Sequence, residues 1–324
     1  MAVYTRVGDA DLAAFLKNYA LGACLSFHEI AEGVENSNFL LQTADARYIL
    51  TIFEKRVAHH DLPWFMGLMA HLNTQGLKCP RPVAGQDGQV LRPLLGKTAA
   101  ITTFLPGRPA MELSADKCHE AGRCLAQLHL AAQGYAAQRA NDFGPAAWTP
   151  LFDTAQHAAM LHDAGPMLPL VAQIAEALPR ILAQWPRPGA LPTGHIHADF
   201  FPDNVFFGEE GKISGAIDFY FACSDLLAYD LAIALNAWCF PDDREMSPIL
   251  CAAMVAGYQS VRPLTEAEKA ALPLLAQGGA LRFVLTRLYD WIATPADALV
   301  TRKDPASFMH RLQYWQKNRA WELN

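Results

Sequence analysis

Short apolar runs bounded by polar turns dominate the first part of the chain, and they predict β-strands. Strand patterns over 28–33, 37–43 and 47–53 indicate an antiparallel meander. Shorter patterns at 89–94 and 99–104 would complete a five-stranded sheet. This part of the chain is therefore predicted to be rich in β-structure.

Helical spacing of apolar residues predicts two helices beside this sheet. One runs from Asp9 to about Tyr19 with an acidic cap, and the other covers 62–75 and ends at Gly76. From Ala115 onward helical spacing dominates. It predicts helices near 115–132, 149–162, 167–184, 227–239, 246–260 and 265–292. The fold class is therefore α+β, with a mainly helical second part.

A short β-hairpin interrupts the helices of the second part. Its strands are Val205–Gly208 and Ser214–Asp218, and the turn Glu209–Lys212 joins them. Polar residues cluster at both ends of this hairpin. The helix that follows contains Asp230, whose carboxylate we expect to accept backbone hydrogen bonds from the segment before the hairpin.

Composition narrows the classes of partner. Of the 324 residues 52% are hydrophobic and only 18% are charged, which indicates a large packed core. A net charge of −6 leaves no basic surplus for a nucleic-acid backbone. The longest apolar run, Leu226 to Phe240, is broken by Asp230 and Asn236, so it predicts a core helix and not a membrane span. We expect a cytoplasmic protein without a signal peptide, with no nucleic-acid or membrane partner and with buried, reduced cysteines.

The candidate chemistry lies at the two ends of the hairpin. His197, Asp199 and Asn204 follow the spacing H-x-D-x-x-x-x-N, and Asp218 comes nineteen positions after Asp199. Phosphoryl transfer needs a group that orients the acceptor hydroxyl and oxygen ligands that hold Mg²⁺ on the nucleotide phosphates. We assign the first task to Asp199, the metal to Asn204 and Asp218, and support of the loop to His197. The alternative is an ordinary hairpin with polar ends, because short motifs also match by chance.

These residues resemble the aminoglycoside phosphotransferase and choline kinase-like superfamily, over nearly the entire chain. The resemblance rests on His197–Val205, on Ile217–Phe219 and on Tyr229–Ala232. It implies a protein-kinase-like fold of two lobes that uses ATP and Mg²⁺. The expected nucleotide-binding lobe is 1–104 and the expected catalytic lobe is 105–324.

More narrowly, the chain looks like the homoserine kinase branch of this superfamily. The similar segments are Gly33–Phe39, Tyr48–Arg56, Asp218–Cys223, Leu235–Cys239 and Leu281–Asp290. This likeness implies phosphorylation of L-homoserine by ATP, a step of threonine biosynthesis. Two alternatives stay open: a kinase of the same fold for choline or an aminoglycoside, and a kinase-like module that only binds.

The nucleotide site departs from the superfamily pattern. Thr51 stands where a lysine or arginine is usual, and the predicted helix over 62–75 contains no glutamate to pair with such a cation. Lys55 shares the face of Thr51 and could reach inward, or it could be an exposed lysine at a strand end. The hinge is expected at 102–107.

Further nucleotide contacts are expected at both ends of the sheet. The candidates in the turn between the first two strands are Gly33, Asn36 and Ser37, and those in the hinge are Thr103 and Leu105. The alternative for the turn is an ordinary hairpin connection, since a single glycine is a weak signal.

An amino-acid acceptor presents a carboxylate, which favours arginine, and an ammonium, which needs oxygen acceptors. Arg282 and Arg287 on the last predicted helix are candidates for the carboxylate. Tyr220 and Asp225, which follow Asp218, complete the candidate acceptor site. The alternative for each charge is a surface or interhelical ion pair.

Overall fold

The computed structural model describes residues 5–30, 36–54, 57–161, 167–209, 211–293 and 303–318. The chain divides into two compact units. The first is Met1–Pro106 with Ser214–Tyr220, and the second is Gly107–Ile213 with Phe221–Asn324. The functional lobes expected at 1–104 and 105–324 stay a prediction.

The first unit contains the predicted five-stranded antiparallel sheet, in the order β1-β2-β3-β5-β4. Its strands are β1 Cys24–Ile30, β2 Ser37–Thr43, β3 Arg47–Ile52, β4 Leu91–Leu94 and β5 Lys97–Thr103. Strand β1 begins earlier than predicted, and its register with β2 shifts between Cys24 and Ser26. Alternation along β2 buries every second residue, as expected for a sheet with one fully covered face.

Helix α1 (Asp9–Leu16) packs its apolar side chains against the core face of this sheet. It is shorter than predicted and ends at Leu16. The predicted acidic cap was wrong, because the N-cap residue is Gly8, which has no side chain to accept a hydrogen bond, and Asp9 and Asp11 lie in the first turn. Helix α2 (Leu62–Thr74) has the predicted extent, and Gly76 follows it with φ of 83°.

The second unit is mainly helical. Its helices are α3 Ala115–Ala131, α4 Pro145–Leu161, α5 Leu168–Gln184, α6 Leu227–Trp238, α7 Pro248–Gln259, α8 Glu266–Ala293 and α9 Ala306–Lys317. The first six were predicted and α9 was not. Every residue of α6 is buried, so this helix is the centre of the unit. In the described part of the chain, no helix combines the length and the apolarity that crossing a bilayer requires.

Two glycines allow α3 and α7 to approach each other closely. A Cβ atom on Gly122 would lie 2.0 Å from the carbonyl oxygen of Met254, and one on Gly257 would lie 1.9 Å from that of His119. Any side chain at either position would force the two backbones apart.

Short strands connect the helices. They are β6 Arg108–Pro109, β7 Thr193–Ile196, β8 Val205–Phe207, β9 Ile213–Ala216 and β10 Cys223–Leu226. Strands β8 and β9 are those of the predicted hairpin, and a 2.8 Å hydrogen bond from Gly208 N to Lys212 O closes the turn between them. The antiparallel pair β7 and β10 was not predicted. The expectation of buried cysteines holds for six of the seven and is wrong for Cys24, which is exposed.

Candidate active site

The segment from His197 to Asn204 leaves β7 and forms a loop ahead of β8. His195, on β7, is fixed on both ring nitrogens: Nε2 lies 2.7 Å from Tyr135 O, and Nδ1 lies 3.1 Å from Ser224 Oγ on β10. The short strand pair thus gives the loop a rigid starting point.

Ala198 is the most constrained residue of this loop. Its φ of 60° lies in the left-handed region, which costs a non-glycine residue about 1 kcal/mol. Its N–H donates to Asp230 Oδ1 at 2.8 Å, and its carbonyl oxygen accepts a hydrogen bond from Arg282 Nη1. The peptide groups on both sides of this strained position are therefore held by buried charged groups, so that Asp199 is presented in a fixed direction.

Asp230 anchors the loop from the first turn of α6. Its carboxylate also accepts from His197 N at 2.8 Å, and Oδ2 lies 3.0 Å from His129 Nε2. These contacts confirm that Asp230 accepts backbone hydrogen bonds from the loop. Burial acts to raise the pKa of Asp230, but the hydrogen bond and the charge of His129 outweigh it and lower the pKa. The side chain is therefore ionised where it meets the loop.

A series of hydrogen bonds between buried side chains continues from Asp230 through His129. His129 Nδ1 lies 2.7 Å from the hydroxyl of Tyr258, and that oxygen accepts from Arg262 Nη1 at 3.1 Å. Arg262 in turn donates to Glu268 at 2.8 Å. The loop anchor is thereby connected through α3 to α7 and α8.

Asp199 and Asn204 interact directly. The amide nitrogen of Asn204 donates to Asp199 Oδ2 at 3.0 Å and to the carbonyl oxygen of Asp199 at 2.9 Å. The backbone N–H of Asp199 donates to His197 Nδ1 at 3.3 Å. Since Asn204 engages its amide nitrogen with Asp199, its amide oxygen is the atom that suits a cation. The loop therefore brings two of the predicted site residues together.

The other predicted metal ligand, Asp218, belongs to the first unit and has φ of 62°. Tyr220 follows it and packs edge-on against Phe53 and Phe65, with ring centroids 5.2 Å and 5.8 Å away. Burial and the charge of Asp218 raise the pKa of Tyr220, while a hydrogen bond with Thr51 opposes this change. The Tyr220 hydroxyl is thus directed into the first unit.

Thr51, in the position where a lysine is usual, is 3% exposed and belongs to a small polar network. Its hydroxyl donates to Asn38 Oδ1 at 2.8 Å. The Thr51 hydroxyl is thus a buried hydrogen-bond partner of both Asn38 and Tyr220. A lysine at this position would remove that hydroxyl and would displace the side chains of Asn38 and Tyr220.

The predicted phosphate turn is attached to the end of β3. Ser37 Oγ donates to Glu54 Oε1 at 2.7 Å, and Glu54 N donates to Asn36 Oδ1 at 3.3 Å. Lys97 forms an ion pair with the same carboxylate. Gly33 and Lys55 lie outside the described residues.

The hinge candidates lie at the other end of the sheet. Thr103 Oγ1 accepts a hydrogen bond from Arg81 N at 2.9 Å. The methyl groups of Leu105 lie 2.9 Å from where a Cβ on Gly215 would be. Leu105 therefore packs closely on the first-unit segment Ser214–Tyr220, which contains most of β9.

Two of the acceptor candidates of the second unit, Asp225 and Arg282, are engaged with other groups of that unit. Asp225, on β10, accepts from Asn141 Nδ2 at 2.7 Å, and burial raises the pKa of its carboxyl. Arg282 is 2% exposed and is packed against the rings of Phe143, Phe221 and Phe283. Its guanidinium therefore faces the loop backbone and aromatic rings.

Arg287 lies one and a half turns further along α8, against Phe308, with its Cζ 4.4 Å from the ring centroid. Its Nη1 donates to Ser307 Oγ at 2.9 Å. Burial and the charge of Arg311 lower the pKa of Arg287 to about 10, and the charges of Asp243, Asp199 and Asp304 oppose this effect. The charge of Asp199 thus contributes to the field at Arg287.

Arg311, on α9, was missed by sequence reasoning. It is 6% exposed and donates from Nη2 to Asp243 Oδ1 at 2.6 Å. A signal was present in the sequence, because Arg311 stands on the apolar stripe of α9 among Phe308, Leu312 and Trp315. An arginine on such a stripe indicates a buried charge that needs a partner.

Comparison with known proteins places this geometry in a family. The model of the phosphotransferase enzyme family matches residues 26–264. The homoserine kinase of Gluconobacter oxydans is 56% identical over 316 residues, which cover 98% of both chains. The chain belongs to this phosphotransferase family, in its homoserine kinase branch. The homoserine kinase of Gluconacetobacter diazotrophicus is 55% identical over 97% of this chain and 96% of its own.

Solved structures confirm the fold. Amicoumacin kinase in complex with AMP-PNP and Ca²⁺ superposes with a TM-score of 0.72 at 15% identity, over 96% of this chain and 94% of its own. Choline kinase from Cryptosporidium parvum superposes with a TM-score of 0.65 at 14% identity, over 95% of this chain and 96% of its own. The predicted kinase-like α+β fold, with its antiparallel sheet and helical second part, is therefore confirmed.

Proposed function

We propose that this chain transfers the γ-phosphoryl group of ATP to the hydroxyl of L-homoserine in the cytoplasm, as a step of threonine biosynthesis. One observation carries the proposal: a loop in which Asn204 holds Asp199 at 3.0 Å, in a chain 56% identical to a protein named homoserine kinase. The resulting products are O-phospho-L-homoserine and ADP.

In the proposed reaction Asp199 orients the acceptor hydroxyl and accepts its proton. The hydroxyl oxygen forms a bond to the γ-phosphorus, and the bond from that phosphorus to the bridging oxygen of ADP breaks. Asn204 fixes one carboxylate oxygen of Asp199, so that the other oxygen can face the acceptor. His197 supports this arrangement through its hydrogen bond with Asp199 N.

The amide oxygen of Asn204 and the carboxylate of Asp218 are the proposed ligands of Mg²⁺, together with phosphate oxygens of ATP. Both are oxygen donors, which a hard divalent cation prefers. When bound, Mg²⁺ neutralises charge on the phosphates. We assign nucleotide contacts to the turn and hinge residues Gly33, Asn36, Ser37, Lys55, Thr103 and Leu105, and acceptor contacts to Tyr220, Asp225 and Arg287. We assign Arg282, the remaining acceptor candidate, to support of the loop, because its guanidinium donates to the carbonyl oxygen of Ala198.

ADP release in the presence of Mg·ATP tests the proposal, with L-homoserine, L-serine, L-threonine, choline and an aminoglycoside as acceptors. We expect release to depend on L-homoserine. Asp199→Asn should reduce turnover by about three orders of magnitude or more while Mg·ATP still binds, because it removes the proton acceptor without changing the shape of the loop.

Two outcomes would contradict parts of this proposal. If choline or an aminoglycoside stimulates release more than homoserine does, the acceptor assignment is wrong. If Asp199→Asn turns over homoserine at the wild-type rate, the role of Asp199 is wrong. Surface Asp153→Asn is the matched control, since Asp153 is exposed on α4.

A further inference from the structure

Two arginines from different helices contact one phenylalanine, which packs against the loop from His197 to Asn204. The Cζ atoms of Arg287 and Arg311 lie 4.4 Å and 4.2 Å from the ring centroid of Phe308. We propose that Arg287 and Arg311 together form the subsite that binds the α-carboxylate of the amino-acid acceptor. This inference rests on the proposed function and assigns that carboxylate to specific residues.

Three carboxylates, those of Asp199, Asp243 and Asp304, contribute to the field at Arg287, but few direct ion pairs hold the two arginines. Among the described residues, Asp243 is the carboxylate that forms an ion pair with Arg311, at 2.6 Å, and Arg287 forms no ion pair within 4.0 Å. The hydrogen bonds of Arg287 go to neutral oxygens, those of Ser307 at 2.9 Å and of Asp304 O at 3.3 Å. Among the described residues, only the guanidinium of Arg311 is in direct contact with a carboxylate, and an anion bound between the two arginines would reduce their mutual repulsion.

Arg311 also has a hydrogen-bond donor that is not used by the described residues. The Nε atom of Arg311 is buried and has no hydrogen-bond partner in the described part of the chain. A buried donor without a partner costs free energy, and a guanidinium presents a planar fork of donors that matches a carboxylate. The side chain of Arg311 therefore retains the kind of donor that a carboxylate ligand would satisfy.

The position of the pair suits an acceptor whose hydroxyl must reach Asp199. The charge of Asp199 opposes the lowering of the pKa of Arg287, so Asp199 contributes to the electrostatic field at this guanidinium. Phe201, two residues after Asp199, packs against Phe308 with ring centroids 6.1 Å apart. Homoserine has its hydroxyl and its carboxylate at opposite ends of a short carbon chain, so its hydroxyl can contact Asp199 while its carboxylate contacts the two arginines.

Asp243 holds Arg311 in place. It adopts φ of 62°, a conformation that aspartate tolerates better than most residues, and its side chain is 62% exposed. Arg282, the other candidate for the carboxylate, donates instead to the backbone of the loop. Experiments can therefore distinguish Arg282, which contacts the loop backbone, from Arg287 and Arg311, the proposed carboxylate ligands.

The test compares two acceptors in Arg311→Lys and Arg287→Lys. L-homoserine carries the carboxylate, and 3-aminopropan-1-ol has the same hydroxyl and amine without it. Lysine keeps the charge but cannot form the bidentate contact. We expect kcat/KM for L-homoserine to fall about 10- to 100-fold, mostly through KM, because one charge-assisted hydrogen bond contributes that much. The KM for ATP and kcat/KM for 3-aminopropan-1-ol should change less than about threefold.

A second readout covers the case in which the wild type uses 3-aminopropan-1-ol too slowly to measure. Competitive inhibition by L-2-aminobutyrate, which keeps the carboxylate and lacks the hydroxyl, should weaken in both variants by a similar factor. Inhibition by propylamine, which lacks both groups, should not change. Arg180→Lys is the control, since Arg180 is 62% exposed and pairs with Glu176 on the surface of α5.

The subsite is overturned if both variants lose activity equally toward the two acceptors, or if the KM for ATP rises as much as that for homoserine. It is also overturned if neither variant changes the KM for homoserine while both remain folded by thermal unfolding. Failure of the proposed function would appear elsewhere, in a wild type that leaves homoserine unphosphorylated. Failure of the subsite would appear only in variants of an active wild type.

Discussion

Arg282 donates a hydrogen bond from its guanidinium to the carbonyl oxygen of Ala198, the residue directly before Asp199. Asp230 binds the N–H of the same residue at 2.8 Å, so opposite charges from α6 and α8 hold the two sides of one strained position. This double hold explains how a short loop can present a carboxylate in a fixed direction. The guanidinium of Arg282 is thereby engaged with the backbone of the loop.

Replacing Arg282 by methionine is expected to reduce kcat for every acceptor by about 10- to 100-fold, because the carbonyl of Ala198 loses a charged donor and Asp199 loses its fixed orientation. The KM for L-homoserine should change much less than kcat. Steady-state kinetics with L-homoserine and 3-aminopropan-1-ol check this. A selective loss for homoserine alone would instead identify Arg282 as a carboxylate ligand, as the sequence suggested.

Asp230→Asn should reduce the free energy of unfolding at neutral pH by about 3 kcal/mol, because it removes the charge from a buried, fully bonded anchor. The folded-state pKa of Asp230 is lowered, below an unfolded value of about 3.9. Its ionised form therefore stabilises the fold above that unfolded value, and this contribution is lost as the pH falls through the folded pKa.

Urea unfolding of Asp230→Asn and wild type across the acidic range measures this effect. The difference between the two proteins should shrink as the pH falls below about 4. The exposed control Asp153→Asn should behave like the wild type at every pH. A difference that stays constant with pH would show that the ionisation of Asp230 contributes nothing to the anchor.

The sequence predicted the elements whose pattern is local. The sheet of the first unit has clear alternation and polar turns, and Asp199 and Asn204 could be found together because one short loop carries both. Strands β7 and β10 were missed, since each has four residues and they pair across the chain, as Cys223 does with Ile196. Their residues, which include Gly194 and Asp225, have no strand pattern of their own.

The surroundings of the arginines could not be predicted for a similar reason. Arg282 and Arg287 stand on the same helix and look equivalent in sequence, yet packing turns one toward the backbone of Ala198 and the other toward Phe308. The position of Arg311 depends on how α9 packs against α8. Sequence spacing specifies which residues share a helix face, but not what that face meets.

Thr51→Val is expected to reduce the free energy of unfolding by about 1–3 kcal/mol. The substitution preserves shape but removes the hydroxyl, so that Asn38 Oδ1 and the hydroxyl of Tyr220 lose a buried partner. Denaturant unfolding measures the change, and exposed Thr154→Val serves as the matched control. If both variants unfold alike, water or another group satisfies Asn38 and Tyr220, and Thr51 is not essential to the first unit.

Gly257→Ala tests whether the close contact of α3 and α7 requires glycine. The added Cβ would lie 1.9 Å from the carbonyl oxygen of His119, which is backbone and cannot rotate away. We expect a loss of about 2 kcal/mol in the free energy of unfolding, since both helices must shift. The separation of α3 from α7 would also affect the contact between His129 and Tyr258, at 2.7 Å, which links α7 to Asp230, the anchor of the loop from His197 to Asn204. Gly208→Ala is the matched control, because a Cβ there would meet only Lys212 O at 3.8 Å. A variant at Gly257 that is as stable as this control, with unchanged kcat, would mean that the two helices can separate without affecting either the core or the loop.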